Sequence, residues 1–219
     1  FVLLTLSLGE WQTRRAQEKL ELQARIDALA ASPAVALPAR AIEASEFAQR
    51  TIEVRGEFLA EKTLFIDNRV YRMQPGYHVI TPLRISGGNA HVVINRGWVA
   101  ADPRRDVLPR VDTPMGEQVL QGLAIIPPEH VYELAPDTSR GPVRQNLALE
   151  RLRAQWRIAL QPVVVLQTSS AADGFVRDWP RQDAGVNTHL AYALQWRVMA
   201  AVGLLLWVSL NLRKVHDND

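Results

Sequence analysis

Apolar residues crowd both ends of the chain and alternate with polar ones through the middle. Residues 190–212 read LAYALQWRVMAAVGLLLWVSLNL, 23 residues in all. As a helix rising 1.5 Å per residue this is about 34 Å long, enough to cross a hydrocarbon core of about 30 Å with modest tilt. Gln195 and Arg197 interrupt it near its start, within snorkelling distance of the headgroups. The uninterrupted run, 198–210, is only 13 residues, a length that also suits a helix buried in a soluble core. The flanks favour the membrane: Tyr192 and Trp196 at one end, Arg213 and Lys214 at the other, resemble interfacial anchors. A transmembrane helix is therefore expected over 189–212, with a short tail, 213–219, beyond it.

The other end opens FVLLTLSL, uncharged and almost wholly apolar, before Gly9-Glu10-Trp11-Gln12 and the charged run Thr13-Arg14-Arg15. Eight helical residues rise only about 12 Å. The stretch 1–12 reads as the end of a first transmembrane helix rather than a signal-peptide remnant, since no small-residue cleavage pattern follows Leu8. With two spans, 13–188 lies on one side and both termini on the other. Arg213 and Lys214 favour a cytoplasmic C terminus, whereas Arg14, Arg15 and Lys19 argue the other way. The expectation adopted is an exported middle domain.

Within that middle, Leu22, Ile26 and Leu29 repeat at helical spacing over 14–31, and Pro33 ends the helix. Strand-like runs follow at 51–58, 63–68, 77–85, 90–99, 118–126 and 163–168. Ser86-Gly87-Gly88-Asn89 marks a hairpin, and Pro82, which lacks an amide donor, predicts an edge strand or a bulge. A second helix is expected over 146–157. The predicted fold is an α+β membrane protein. Two transmembrane helices flank a mainly antiparallel β-sheet or small barrel with a few helices.

Composition narrows the function classes. Of 219 residues 47% are hydrophobic and 22% charged, an ordinary globular balance. Cysteine is absent, which excludes disulfides, thiolate metal sites, covalent haem attachment through thioethers and thiol catalysis. A net charge of +2 gives no reason to expect nucleic acid as a partner. No GxSxG, HExxH, P-loop or GxGxxG occurs, and His78, His91, His130, His189 and His216 are scattered. Asp102 and Asp106 flank Pro103-Arg104-Arg105 as in a solvated turn. An enzyme is not expected.

One helical face is distinctive. At 100° per residue His189, Tyr192, Ala193, Trp196, Ala200, Gly203 and Trp207 share it. The small residues leave a shallow trough walled by aromatics and headed by an imidazole. The trough suits either of two occupants. A flat macrocycle can lie on Trp196 and Tyr192 with His189 on its iron and Arg197, Arg177 or Arg181 on its propionates. Alternatively, the small residues admit a neighbouring helix.

Four segments carry a resemblance. Leu8-Gly9-Glu10-Trp11-Gln12 with Arg15 and Lys19, Pro75-Gly76-Tyr77-His78-Val79-Ile80-Thr81-Pro82-Leu83, Val93-Ile94-Asn95-Arg96-Gly97-Trp98-Val99, and His189 with Tyr192, Ala193, Gln195 and Trp196 together resemble the Surfeit-one family of cytochrome oxidase assembly proteins. The resemblance implies a two-span protein of the inner (cytoplasmic) membrane. Its central domain would face the periplasm or the mitochondrial intermembrane space, with both termini on the cytoplasmic or matrix side. It implies a role in building haem-copper cytochrome c oxidase, binding haem a and assisting its insertion into subunit I. Carried over, the family's haem-associated histidine falls on His189, the expected ligand of the haem iron, and its helix tryptophan on Trp196; the helical face adds Tyr192 and Arg197 as expected neighbours of the haem. Arg96 and Trp98 match the family's strand motif and are expected partner contacts, as are Gly203 and Trp207 of the helical face, with membrane lipid and other oxidase subunits or assembly factors as further partners. For Arg96 and Trp98 an internal role, a buried arginine stacked on the tryptophan to close a strand, competes with partner contact. The alternative to haem binding is a cofactor-free scaffold or accessory subunit that stabilises oxidase subunit I by helix packing.

Overall fold

The computed structural model describes residues 1–104, 107–128, 141–180 and 185–216. The chain forms two units: a β-rich one, 29–180, and a helical one made of its two ends, 1–28 and 181–219.

In the β-rich unit the strands are β1 (Val35–Ala36), β2 (Thr51–Phe58), β3 (Leu64–Tyr71), β4 (Gln74–Ile85), β5 (Ala90–Ala100), β6 (Glu117–Ile125), β7 (Val143–Arg144) and β8 (Ala159–Gln167). β2, β6, β8, β5 and β4 bond in that order, and β4 returns to β2 through Gly56↔Ile85 to Phe58↔Leu83. The ring is thus a closed five-stranded barrel. Its pairings are antiparallel except β5–β8. β1 adds in parallel to β2, while β3 and then β7 extend beyond β4.

Period-two patterning builds this arrangement. On β5, Val92 and Ile94 point to one face and join Ile52, Val54, Leu83, Leu120, Val163 and Val165. Val93 points to the other and joins Leu64, Ile66, Ile80 and Val164. That second face is covered by Leu149 and Leu152 of a short helix, Leu149–Trp156. Each such fully buried aliphatic side chain contributes about 1.5–3 kcal/mol. Because both faces of β5 are covered, its sequence is almost continuously apolar until Asn95.

The expected strands appear with shifted ends, and the hairpin between β4 and β5 closes at residues 86–89. Pro82 does not lie on an edge strand. β4 is interior, paired to β5 along its length, and exchanges β3 for β2 on its other side between Ile80 and Leu83. The carbonyl of Pro82 accepts the Leu59 N–H (2.9 Å) at that corner, where the missing donor is tolerated.

In the helical unit the long elements are α1 (Val2–Ala31) and, numbered after the short helices α2 (Ala44–Phe47) and α3 (Leu149–Trp156), α4 (Val186–His216). Among the described residues one helical stretch is long and apolar enough to cross a membrane, Val186–Leu212, with mean hydropathy 1.5. Only 11% of it is buried within the protein, and Leu194, Leu205, Leu206 and Leu212 are exposed. A core helix in a soluble protein would hide these side chains, so membrane association is the physical reading. The first two turns of α1 are almost wholly apolar, but Glu10 and a series of charged residues from Arg14 onward follow, so by its own composition it does not meet the same test.

Candidate functional site

In the β-rich unit the site begins at a fault in the ladder. β4 and β5 pair from Gly76↔Ala100 to Val79↔Gly97 and resume at Ile80↔Asn95, leaving Arg96 without a cross-strand partner. A bulge of this kind turns a side chain away from its normal direction. Gly97 beside it has φ of 140°, and a β-carbon there would lie 2.8 Å from both Phe175 Cβ and Val176 O. Only glycine fits both the backbone angle and the close approach.

The re-aimed Arg96 is 2% exposed. Its guanidinium donates to Thr113 Oγ1 (2.9 Å), the Asp112 carbonyl (3.0 Å) and Asp173 Oδ2 (3.3 Å). It lies 5.2 Å from the Phe58 ring and 5.1 Å from the Phe175 ring, so its cation–π partners are phenylalanines rather than Trp98. Asp173 is shared: Arg177 donates to both carboxylate oxygens, at 2.8 and 2.6 Å. Burial lowers the Arg96 pKa first, with Asp173 opposing and Arg177 reinforcing that shift.

Trp98, 8% exposed, donates its indole N–H to the Arg69 carbonyl (2.8 Å) and lies over Gly76, where a β-carbon would come within 2.5 Å of the ring. Its backbone exchanges two hydrogen bonds with Val176 (2.8 and 2.9 Å), continuing β5 where β8 has stopped. Segment 173–179 is thus strapped onto the barrel by main chain and by the Arg96–Asp173–Arg177 cluster.

His78 sits on β4 opposite Trp98. Asn95 Nδ2 donates to its Nδ1 (3.3 Å), and the Trp179 ring packs against it edge to face at 5.4 Å. Burial, followed by the charge of Arg69, pushes its pKa down to about 4. The imidazole is therefore neutral at pH 7, with its proton on Nε2. Between pH 6.5 and about 4 the unfolded chain takes up a proton that the folded one refuses, so stability falls as pH falls through that window. The expected loss is about 2–3 kcal/mol, allowing for partial exposure. Urea unfolding at pH 7 and 4.5 measures it, and His78→Gln should remove most of the slope. An unchanged slope in that variant would detach the effect from His78.

In the helical unit α1 and α4 pack through small residues. Ala193 and Ala200 of α4 are buried, as are Thr5, Gly9 and Ala16 of α1. A β-carbon at Gly9 would meet Arg197 Cγ at 3.3 Å and the Ala193 carbonyl at 3.4 Å, and one at Gly203 would meet the Phe1 ring at 2.9 Å. The trough expected along α4 is occupied by α1 over these positions. His189 heads this contact. Its Nδ1–H donates to Gln12 Oε1 at 2.8 Å, which leaves the Nε2 lone pair without a partner among the described residues. Arg197 donates to Thr13 Oγ1 (2.9 Å) and approaches Glu10 (3.8 Å). Tyr192 and Trp207 are exposed and Trp196 is half-buried.

A profile of the SURF1 family matches residues 1–201. The chain belongs to the SURF1 family. It is 27% identical to "Surfeit locus protein 1" of Mus musculus over 94% of this chain and 72% of that one. It is 26% identical to the "SURF1-like protein" of Monosiga brevicollis, over 95% and 84%. To "Surfeit locus protein 1" of Homo sapiens it is 26% identical, over 94% and 73%.

The four segments that carried the resemblance form two contacts in this SURF1-family chain. Gln12 of the first meets His189 of the fourth, and the second and third are the neighbouring strands β4 and β5. Of the expected site residues, His189, Arg197, Ala193 and Gly203 are gathered on the α1 contact, whereas Arg96 and Trp98 are enclosed in the barrel unit. Arg177 is committed to Asp173. Arg181, His130 and Asp106 lie outside the described residues, as do the side chains of Arg213 and Lys214; Asp102 accepts the Arg104 N–H (2.8 Å) in a turn. Gln12, Asp173, Phe58 and Phe175 were not singled out by sequence, although Gln12 stands inside the first segment.

Proposed function

We propose that this SURF1-family chain is a membrane-held assembly factor for haem-copper cytochrome c oxidase, which binds haem a through His189 Nε2 and assists its insertion into subunit I. The reading includes a second crossing that contains the start of α1. The barrel unit then lies in the periplasm or intermembrane space, and both termini on the cytoplasmic or matrix side. One observation carries it: the Nδ1–H of His189 is held by Gln12 at 2.8 Å, the kind of hydrogen bond that orients imidazoles ligating iron or zinc. Gln12 selects the tautomer and turns the ring, and the free lone pair is the donor a haem iron requires. Haem a, when bound, would supply a redox-active iron for delivery, not chemistry performed on this protein. Tyr192 and Trp196 flank the histidine and offer apolar surface to a ring.

A cofactor-free scaffold is favoured by one other observation, the occupation of the small-residue face by α1. A ring cannot lie on Ala193 and Ala200 while α1 covers them, so haem would be held at the histidine end alone. A visible spectrum of the full chain purified in detergent from cells making haem a distinguishes the two. The proposal expects about one haem per chain. A colourless protein that still retains subunit I when haem synthesis is blocked would give the scaffold the better account.

A further inference from the structure

Beside the Arg96 cluster the barrel unit has a cleft of about 460 Å³, a size usual for small-ligand sites. Its lining includes the buried Arg96 and Gln167, Asp173, Phe58, Thr113 and the exposed Ser170. Two of these side chains are incomplete: among the described residues the Arg96 Nε–H is buried without an acceptor, and Gln167 Oε1 is buried without a donor. Both side chains are more than nine-tenths buried, so each unmet group carries a desolvation cost that native cores usually avoid.

The charges are unbalanced in the same place. Arg96 and Arg177 share one carboxylate, and Arg177 holds it more closely, at 2.6 and 2.8 Å against 3.3 Å for Arg96. The Asp112 carboxylate faces outward to Arg110 (3.1 Å), leaving only its backbone carbonyl to Arg96. Among the described residues a single buried positive charge is left over. One carboxylate would neutralise it; a doubly charged phosphate would overshoot.

We propose that this cleft binds an acidic peptide segment of a partner protein. Its aspartate or glutamate carboxylate accepts from Arg96, and a backbone N–H donates to Gln167 Oε1. The pairing of an unmet donor with an unmet acceptor separates this ligand from a free carboxylic acid, which has no N–H for Gln167. Pro114, Val119 and Leu120 supply apolar wall for the flanking residues. The site belongs wholly to the barrel unit, so it stands or falls independently of haem at His189.

The test uses the full chain in detergent, with nitrogen-15 in its arginine and glutamine side chains, titrated with three probes. These are N-acetyl-glutamate N-methylamide, its glutamine counterpart, and acetate. The acidic probe should shift the Arg96 Nε–H and Gln167 amide signals and bind at least about tenfold more tightly than either other probe. Ser170→Trp, which puts a large ring on an exposed lining residue without entering the core, should abolish the shifts. Gln167→Leu should bring the acidic probe down to the level of acetate. Equal binding of the acid and glutamine probes, acetate as strong as the peptide acid, or undiminished shifts in Ser170→Trp would each overturn the proposal.

Discussion

Asp173→Ala is expected to lower the unfolding free energy by about 3–5 kcal/mol, the usual cost of stripping a buried ion pair of one partner. Asp173 is the only carboxylate that either Arg96 or Arg177 touches among the described residues. Without it two guanidiniums, 2% and 11% exposed, face each other with no anion between them. The strap 173–179 also loses its charged attachment, keeping the two backbone bonds to Trp98 and the Trp179 indole N–H on the Gln167 carbonyl (2.8 Å). Arg177→Ala should cost much less, about 1–2 kcal/mol, because it hands Arg96 an undivided carboxylate. Urea unfolding of the detergent-held chain, followed by tryptophan fluorescence, reads both values. Should Arg177→Ala prove as damaging as Asp173→Ala, charge sharing is the wrong account of the cluster.

Sequence reached the barrel strands because their chemistry is local. Alternating or continuous β-branched residues between Gly and Pro turns give 51–58 and 90–99 almost to the residue. The start of β8 was missed because Gln161 and Pro162 break the pattern. Gln161 is nevertheless buried, its amide donating to the Pro38 and Arg40 carbonyls across 123 and 121 residues of chain. Two-residue strands such as β1 and β7 have no pattern to read, and closure of the ring through β2 and β4 is a property of the whole sheet.

The same division runs through the candidate site. Helical periodicity places His189, Ala193 and Ala200 on one face, but nothing in that periodicity names the occupant. Gly9 and Gln12, which fill it, are nearly 180 residues away. Asn95-Arg96-Gly97-Trp98 was legible as a motif and illegible as a bulge. Its meaning depends on Asp173, a residue that local patterning reads as loop. Distant polar pairs of this kind leave no periodic trace, and both units are organised around one.

His189→Ala is expected to remove at least nine-tenths of the haem that co-purifies with the full chain, since no other imidazole stands on the α4 face. Gln12→Leu tests the same bond from its other side. Without the acceptor at 2.8 Å the His189 ring is free to rotate and to exchange tautomers, and ligand affinity should fall about 10–100-fold. Gln12→Glu keeps an acceptor in place and makes the imidazole more basic, so haem should be retained. That ordering separates ligand positioning from mere helix packing. Gln12→Glu introduces a charge at the α1–α4 contact and, if packing alone mattered, would do as much harm as Gln12→Leu. Gly9→Leu supplies the packing control: it drives a side chain against Arg197 and Ala193 without touching His189. Full haem content in His189→Ala would remove this histidine as the ligand, whatever the behaviour of the other three variants.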